Sequence, residues 1–557
     1  MPYQFSALVV DIDRGRVKIP QFQRDFVWPL EKCASLLDSV VKEYPIGSFI
    51  FWKTKERLRS VRNIGALSLP DTEKSDFVNY ILDGQQRVTS IYAALKGVKN
   101  VKRNDGRIED FSKIYVNLSA ENDDKIITSE IETLDSTALI RLTDLLNGDL
   151  EFIINNVPKE YRAKVDKYRN SINAYNCNVI QVEDIPIDIA TEIFTRVNLG
   201  GEELSLFEIM VAKTFDPERN FDLAERFNQL KAELLEVGYE TVAPSSILQA
   251  ISLIISSSKE CKRKTILNLD KTEFINAWNP VIDAFKAAID YFITFYGIPV
   301  SKLLPYNSLL VPFTYFFYKK RKKPENDEKV RLQDFFWRVS LSGRYSSSVE
   351  SKLAQDVKRI DTILNGEDPK YDWPVDLSPE FIKKNGRFSA GRSYVKAILS
   401  LYASKVPRSF DDGSKVNIDN AWLKRSNSKN YHHFFPKAYL EKSGEVEEFY
   451  INNVVNITIV DDYLNKRKIR DKAPSDYMKT YKNENPNLAE TMKSHLIDDL
   501  DEFGIWEDDY ETFLDRRAAS ISRELKKLII ERDIDKIGQP NLEDDSTDYY
   551  EEEETNY

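Results

Sequence analysis

Two adjacent histidines near the C-terminus stand in a pattern that could cleave a phosphodiester bond. Residues 430–437 read NYHHFFPK, and residues 452–468 read NNVVNITIVDDYLNKRK. Asn456 follows His433 by 23 residues, and Asn465 follows Asn456 by nine. A strand with a histidine pair, a second strand with an asparagine and a helix with a further ligand is the ββα-metal layout. The spacing therefore predicts a one-metal site for cutting a nucleic-acid backbone.

Each residue type suits one part of that chemistry. Phosphodiester cleavage needs a base that activates water and a cation that stabilises the developing charge. A neutral imidazole is a suitable base near pH 7, and we assign this role to His433. His432 points to the other face of an extended strand, so it can reach the metal, with Asn465 as second ligand. Asn456 is expected to hydrogen-bond the loop and orient His433.

A basic run follows these residues and is placed to meet a DNA backbone: Lys466, Arg467, Lys468 and Arg470. The alternative is that His432 and His433 are two members of an aromatic cluster in a loop. The asparagine spacing and the basic run favour the nuclease interpretation. The remaining histidine, His495, lies on a predicted helix and is expected to be an ordinary surface or capping residue.

A second group of residues could handle phosphate. Residues 80–95 read YILDGQQRVTSIYAAL, which predicts a strand, a tight turn at Asp83-Gly84 and a helix. The first turn of a helix favours anions, and Arg87 could fork onto phosphate oxygens. Gln85 and Gln86 could donate to phosphate or hold a water, and Asp83 could bind a metal ion or a ribose hydroxyl. The alternative is structural, with Asp83 as a plain N-cap and Gln86 completing a capping box.

Two further segments bear on the choice between a phosphate-binding and a structural role for residues 80–95. Residues 20–28 read PQFQRDFVW and place Gln23 and Arg24 beside aromatic residues. Residues 193–214 read IFTRVNLGGEELSLFEIMVAKT, with Arg196 and Asn198 before a glycine pair. Each has a structural alternative, a loop pinned by aromatic residues in the first case and a well-capped helix in the second.

The elements that would position these residues can be predicted from apolar spacing. Residues 1 to about 215 are expected to be mixed α/β, with strands at 17–20, 48–52, 78–82, 114–118 and 178–182. Residues 216 to 400 have apolar residues at helical spacing. Residues 400 to 480 contain two short strand candidates and a basic helix, and 481 to 535 are expected to be helical.

Composition limits the class of protein. With 557 residues, 42% of them hydrophobic, the chain is expected to form two or three domains. The three cysteines form no CxxC pair, and the N-terminus has no signal-peptide pattern. No apolar stretch is long enough to span a bilayer, so we expect a cytoplasmic protein without a membrane partner. The net charge of −11 owes much to an acidic tail after residue 542, which we expect to be disordered, and the rest of the chain is close to neutral.

The motifs PxFQRxFVW, ILDGQQR and FTRVNxxGxxLSxxE, in that order, resemble the N-terminal domain of GmrSD-type restriction proteins. The resemblance covers roughly residues 1 to 215 and implies a ParB/sulfiredoxin-like fold that binds and hydrolyses nucleoside triphosphates. It also implies which residues would line the nucleotide pocket: Gln23, Arg24, Asp83, Gly84, Gln85, Gln86, Arg87, Arg196 and Asn198. Asp83, Gln86 and Arg87 would contribute to hydrolysis.

The C-terminal pattern HHFFPK followed by NVVNITIVDDYLNKRKIRDKAPSDY is similar to the HNH domain that accompanies the DGQQR domain in the same proteins. Many HNH enzymes have aspartate where this chain has His432, and many have histidine where it has Asn465. Because asparagine is a weak, neutral ligand, magnesium or manganese is expected rather than zinc.

The resemblance and the residues together imply an α+β multidomain protein. The expected parts are a ParB-like domain at 1–215, a helical regulatory region at 216–400, an HNH nuclease domain with C-terminal helices at 401–535, and an acidic tail at 536–557. The expected activity is nucleotide-regulated, metal-dependent cleavage of double-stranded DNA in anti-phage defence, of the modification-dependent (type IV-like) kind. HNH enzymes that cut both strands often work as pairs, so a homodimer is possible, and the sequence leaves the oligomeric state open. The alternatives are a nucleotide- or DNA-sensing protein with an inactive HNH fold and a non-nuclease partner protein.

Overall fold

The computed structural model of the chain describes all residues except 1, 21–27, 59, 61–62, 65–66, 74–75, 103–106, 122–123, 133, 198–204, 421–422, 424–430, 445, 461–468, 470, 539, 541 and 543–557. The chain divides into two compact units, Met1–Leu223 and Ala224–Tyr557. The helical middle and the C-terminal region, predicted as separate parts, thus lie within one compact unit. The acidic tail beyond Leu542 lies outside the described residues.

The first unit is mixed α/β, which confirms the prediction for this part of the chain. Its strands are β1 (Pro2–Gln4), β2 (Val17–Lys18), β3 (Ser48–Thr54), β4 (Asn63–Ile64), β5 (Leu67–Ser68), β6 (Val78–Asp83), β7 (Val101–Lys102), β8 (Ile108–Glu109), β9 (Tyr115–Asn117), β10 (Ile127–Thr128), β11 (Leu139–Arg141) and β12 (Asn176–Glu183). Its helices are α1 (Phe5–Asp13), α2 (Leu30–Val41), α3 (Gln85–Lys96), α4 (Leu142–Asn147), α5 (Leu150–Asn156), α6 (Arg162–Ala174), α7 (Ile187–Val197) and α8 (Leu206–Thr214).

The main sheet of the described part of this unit has five strands in the order β1-β12-β3-β6-β2. β12 pairs parallel with β3, and β2 pairs parallel with β6, whereas β3 and β6 are antiparallel. Alternation along the strands separates two faces. Phe51 and Ile81 join the core under α2 and α3, while Trp52 and Tyr80 pack against each other on the opposite face. The apolar spacing of α2, with Leu37 and Val41 fully buried, explains why that helix covers the sheet.

The second unit is mainly helical. Its first helices are α9 (Leu223–Glu236), α10 (Pro244–Ile255), α11 (Arg263–Leu267), α12 (Lys271–Thr294), α13 (Leu310–Lys320), α14 (Asn326–Ser340), α15 (Val349–Leu364), α16 (Pro379–Asn385) and α17 (Ser393–Ser404). The C-terminal elements are β13 (Tyr431–His433), α18 (Lys437–Ser443), α19 (Glu448–Ile451), β14 (Ile457–Ile459), α20 (Pro474–Glu484), α21 (Leu488–Lys493), α22 (Tyr510–Lys526) and α23 (Asp533–Ile537). Within the described residues, no helix combines the length and apolar character needed to cross a membrane.

The two short strands of this unit, β13 and β14, form an antiparallel pair that packs against α22. Phe434, directly after β13, stacks on Phe513 of α22, with ring centroids 4.8 Å apart and an interplanar angle of 8°. Arg517 of α22 is fully buried and donates from Nη1 to the carbonyl of Val455 at 2.5 Å. A two-stranded sheet this short is not stable by itself, so α22 supplies the packing that it needs.

A buried ion network holds α23 against α14. Arg338 makes a two-bond contact with the carboxylate of Asp535, at 2.8 and 2.6 Å, and a third bond to Asp334 at 3.1 Å. The side chains of Arg338 and Asp334 are fully buried. Asp535 also accepts from the backbone N–H groups of Val375 and Arg532. Because every charge has a counter-ion, the network can exist away from water.

We expect Asp535→Ala to lower the free energy of unfolding by about 3 kcal/mol, because it leaves the guanidinium of Arg338 buried with one carboxylate instead of two. Urea unfolding followed by circular dichroism measures the change. Asp533, on the same helix but 96% exposed, provides the control, and Asp533→Ala should change stability by no more than about 0.5 kcal/mol. Equal losses for the two variants would contradict a stabilising network.

Candidate functional site

The turn between β6 and α3 has the predicted geometry of strand, tight turn and helix. β6 ends at Asp83, and α3 begins at Gln85. Gly84 between them is left-handed, with φ of 94°, a conformation that side chains disfavour. The N-cap of α3 is Gly84 and makes no side-chain capping bond, so the alternative that Asp83 is an ordinary N-cap with a capping box to Gln86 is wrong.

Arg87 uses its guanidinium to tie this turn to the start of β3. Nη1 donates to the carbonyl of Ile46 and Nη2 to that of Ser48, both at 2.8 Å. Nη2 also contacts the carboxylate of Asp83 at 3.0 Å. These bonds satisfy the carbonyls of Ile46 and Ser48 at the start of β3, a structural role that the sequence pattern did not predict.

Two close approaches fix the guanidinium further. It lies over the ring of Phe49, with Cζ 4.8 Å from the ring centroid, a cation–π geometry. Gly47, with φ of 86°, passes so near to Nη1 of Arg87 that any Cβ would collide with it. Arg87 is therefore held against the protein on several sides, and its fork onto a phosphate stays a prediction.

The other predicted pocket residues are only partly described. Gln85 is half-buried, whereas Gln86 is 7% exposed, so Gln85 has the better access to solvent. Arg196, near the end of α7, is exposed and forms an ion pair with Glu192 at 2.6 Å. Gln23, Arg24 and Asn198 lie outside the described residues. The structure thus brings Asp83 and Arg87 together and leaves the complete pocket a prediction.

His432 and His433 point to opposite faces of β13, as the period of an extended strand requires. His432 faces inward and is 3% exposed, with edge-to-face contacts to the rings of Phe410 and Tyr477. Thr458, its partner in the β13–β14 register, lies 3.4 Å from Nδ1. Burial, followed by the charges of His433 and His495, lowers the pKa of His432 to about 3.

A neutral imidazole is the form that binds a divalent metal, so the protonation state of His432 fits the predicted ligand role. Its enclosure by aromatic rings fits less well, because a metal needs further donors around it. The described residues contain no group of three or more His, Cys, Asp or Glu side chains that could hold a metal ion. The predicted second ligand, Asn465, lies outside the described residues, and the metal site stays a prediction.

His433 faces the half-exposed side of β13. Its Nε2 lies 3.0 Å from Oδ1 of Asn452. Burial lowers the pKa of His433, the hydrogen bond with Asn452 opposes that shift, and the charge of Lys437 reinforces it. A neutral, partly accessible imidazole is what a general base requires near pH 7.

Asn456 is fully buried and holds the loop that follows the histidine pair. Its Oδ1 accepts from the N–H of Phe435, and its Nδ2 donates to the carbonyl of the same residue, both at 2.9 Å. The expected bonds to the loop are therefore present. The expected orienting bond to His433 is made instead by Asn452, a residue that the sequence pattern did not single out. The predicted DNA-contacting residues Lys466, Arg467, Lys468 and Arg470 lie outside the described residues.

The prediction for His495 was wrong. The residue is 2% exposed and follows α21, where its ring packs edge-to-face on Phe410, with centroids 5.0 Å apart. Its Nε2 donates to the carbonyl of Arg408 at 2.7 Å. Burial lowers its pKa to about 4, the bond to Arg408 opposes the shift, and the charge of Arg517 adds to it. Local helical spacing gave no indication that this histidine is a core residue.

Matches to two protein families identify the class of protein to which the chain belongs. Residues 5–215 match the family described as GmrSD restriction endonuclease, N-terminal domain. Residues 379–524 match the family described as GmrSD restriction endonucleases, C-terminal domain. The chain therefore has the domain architecture of the GmrSD restriction endonuclease family, whose domains indicate a DNA-cutting enzyme of phage defence.

A relative of nearly the same extent is an uncharacterized protein, MJ0686, of Methanocaldococcus jannaschii. The two chains are 26% identical over 518 aligned residues, and the alignment covers 85% of this chain and 85% of the relative. The similarity thus extends from one matched domain into the other through the helices between them.

The buried imidazole of His495 predicts acid sensitivity. Its folded-state pKa of about 4 lies below the ordinary value of 6.5, so neutral His495 stabilises the fold fully above pH 6.5. This contribution is lost as the pH falls from 6.5 toward 4, by about 1.4 kcal/mol per pH unit. His495→Gln retains a donor for Arg408 but does not titrate. The difference in unfolding free energy between wild type and variant should shrink as the pH falls, and parallel curves would exclude this role.

The structural role of Arg87 can be tested through the free energy of unfolding. Because its removal leaves two carbonyls and Asp83 without their donor, Arg87→Ala should lower the free energy of unfolding by about 2 kcal/mol. Arg196→Ala, which removes an exposed ion pair, should cost less than about 0.5 kcal/mol. If Arg87→Ala unfolds at the same urea concentration as wild type, the structural role of Arg87 is excluded. Any loss of nucleotide binding in Arg87→Ala must be judged against this change in stability.

Proposed function

We propose that this protein is a nucleotide-regulated, metal-dependent DNA endonuclease in which His433 is the general base. One observation supports this proposal above the others. The strand pair β13–β14 presents His433 as a neutral, half-exposed imidazole with its Nε2 hydrogen-bonded to Asn452. The match of residues 379–524 to a nuclease domain family supports the assignment from a separate direction.

The chain's own residues account for the proton transfer. His433 takes a proton from the water that attacks the scissile phosphorus. Lys437, whose charge is close enough to lower the pKa of His433, favours the neutral form of the base and adds positive charge near the approaching phosphate. Asn456 keeps the loop after His433 in place through its bonds to Phe435. In our proposal the C-terminal domain is an HNH domain.

His432 and Asn465 would hold a divalent cation, with magnesium or manganese preferred over zinc because asparagine is an oxygen ligand. Such a cation, when bound, stabilises the charge on the phosphoryl and leaving oxygens. Lys466, Arg467, Lys468 and Arg470 follow Asn465 directly in the sequence, and we assign them to the DNA backbone.

The N-terminal unit would bind and hydrolyse a nucleoside triphosphate at the β6–α3 turn, in a ParB-like pocket. Asp83, Gly84, Gln85, Gln86 and Arg87 form the part of the proposed pocket that lies at this turn. The remaining proposed contacts are those of Gln23, Arg24, Arg196 and Asn198. The match of residues 5–215 to the GmrSD N-terminal domain supports a regulatory role for this unit.

We further propose that the substrate is double-stranded phage DNA that carries a modification, that the protein acts in the cytoplasm, and that it cuts both strands as a homodimer.

A second function is favoured by the enclosure of His432 among Phe410 and Tyr477. If that histidine does not bind a metal, the protein would be a nucleotide- or DNA-sensing partner with an inactive HNH fold.

The proposal is tested by cleavage of modified phage DNA and unmodified plasmid, with magnesium or manganese and with or without each nucleoside triphosphate. His433→Ala should lower the cleavage rate by about 10²- to 10⁴-fold, because it removes the base. Asp533→Ala, a change at a 96% exposed residue of α23, should leave the rate unchanged at neutral pH.

Undiminished cleavage by His433→Ala would disprove the catalytic assignment. Cleavage without added metal in the presence of a chelator would disprove the metal requirement. Absence of cleavage of every DNA by wild-type protein, together with hydrolysis of a nucleotide, would favour the sensing function instead.

A further inference from the structure

The residue that bonds to His433 is itself held by a segment far away in the sequence. Asn452 lies directly after α19, and its backbone carbonyl accepts from the N–H of Phe388 at 2.8 Å. The N–H of Val454 donates to the carbonyl of Gly386 at 2.6 Å, and Arg387 pairs with Asn453 as an antiparallel bridge. Residues 386–388 and 452–454 thus form a short ladder that fixes the backbone of Asn452.

The side chain of Asn452 contacts this ladder as well. Its Nδ2 donates to the carbonyl of Phe388 at 3.3 Å. The ring of Phe388 packs edge-to-face on Tyr431 and His433, with centroids 5.2 and 6.4 Å away. Phe388 therefore contacts both the amide of Asn452 and the imidazole of His433 to which that amide is hydrogen-bonded.

These contacts determine which way the amide is turned. A backbone carbonyl can only accept a hydrogen bond, so the NH₂ group of Asn452 must face Phe388. The opposite orientation would place two oxygen acceptors, Oδ1 and the Phe388 carbonyl, against each other. The oxygen of the amide consequently faces Nε2 of His433 and accepts from it.

The orientation of the amide in turn determines the state of the imidazole. A neutral imidazole carries one proton, and the bond to Oδ1 of Asn452 requires that proton on Nε2. The lone pair is then on Nδ1, on the other side of the ring. His433 keeps this arrangement only while an acceptor faces Nε2.

We infer that Asn452, held by Phe388, is a positioning residue that keeps His433 in the Nε2–H tautomer with Nδ1 as the basic atom. This inference rests on the proposed role of His433 as general base. Asn452 touches neither water nor phosphate in this scheme and acts through the imidazole alone. Asn452 accepts a hydrogen bond from the imidazole nitrogen that does not react, as carboxylates and carbonyls do for other catalytic or metal-bound histidines.

The tautomer can be observed directly, since the chain contains only three histidines. Protein labelled with ¹⁵N-histidine gives long-range ¹H–¹⁵N correlations whose pattern separates the two tautomers, and His433→Ala identifies the signals of His433. At about pH 8, where the imidazole is neutral, wild type should show a single Nε2–H tautomer. This measurement needs neither metal nor DNA.

Three variants separate the acceptor role from a structural one. Asn452→Ala removes the acceptor, and His433 should then show the averaged signals of exchanging tautomers. Asn452→Asp keeps the acceptor but loses the donor to Phe388, and it should retain the Nε2–H pattern. Asn453→Ala is the matched control, because Asn453 is a buried neighbouring amide that bonds to the backbone of Lys383 and Val455. Its His433 signals should be those of wild type.

Kinetics provide the second readout. Under single-turnover conditions with saturating DNA, Asn452→Ala should cleave about 10- to 100-fold more slowly than wild type, with DNA affinity unchanged. Asn452→Asp should be impaired less than Asn452→Ala. A merely structural amide would make Asn452→Ala and Asn452→Asp equally slow, because both lose the bond to Phe388.

The outcomes distinguish this inference from the proposed function. Cleavage that survives His433→Ala overturns the proposed function, and the catalytic role of Asn452 with it. Cleavage that is lost in His433→Ala while Asn452→Ala keeps wild-type rates overturns the inference alone. A single Nε2–H tautomer in Asn452→Ala, or the same change of tautomer in Asn453→Ala, also overturns it.

Discussion

Backbone carbonyls withdrawn from water need hydrogen-bond donors, and in both compact units arginine and asparagine side chains supply them. Arg87 serves the carbonyls of Ile46 and Ser48 in the first unit. In the second, Arg517 serves Val455, and Asn456 serves Phe435. These side chains hold the ends of the elements next to both candidate sites.

This constraint also explains why polar residues near the sites have more than one role. The guanidinium of Arg87 is held by Gly47, Phe49 and two carbonyls, which orients it even before any ligand arrives. The asparagines of the second unit are equally constrained. An amide that hydrogen-bonds to backbone groups cannot exchange the positions of its oxygen and nitrogen without losing those bonds. A fixed amide can impose a proton position on its neighbour, and this is the physical basis of the relation between Asn452 and His433.

Much of the architecture follows from local patterns. Strand alternation predicted that His432 and His433 face opposite sides, and apolar spacing predicted β3 and β6 at nearly their observed bounds. The partners of the key side chains could not be predicted in the same way. Arg87 bonds to residues about forty positions earlier, and Asn452 depends on Phe388, 64 positions away. His495 was misjudged because its burial results from Phe410 and Arg408, which the sequence around it does not reveal.

The dependence of β13 and β14 on α22 has a consequence for how such a domain can be inherited. The histidine pair lies on β13, one of two paired strands of three residues each. Phe513 and Arg517, which support this strand pair, come some fifty residues after β14. The segment that can be exchanged between proteins during evolution is therefore larger than the strands and helix of its motif. The extent of the C-terminal family match, which ends at residue 524 within α22, coincides with that requirement. Recombination that separated the motif from α22 would transfer the reactive residues without the scaffold that gives them their arrangement.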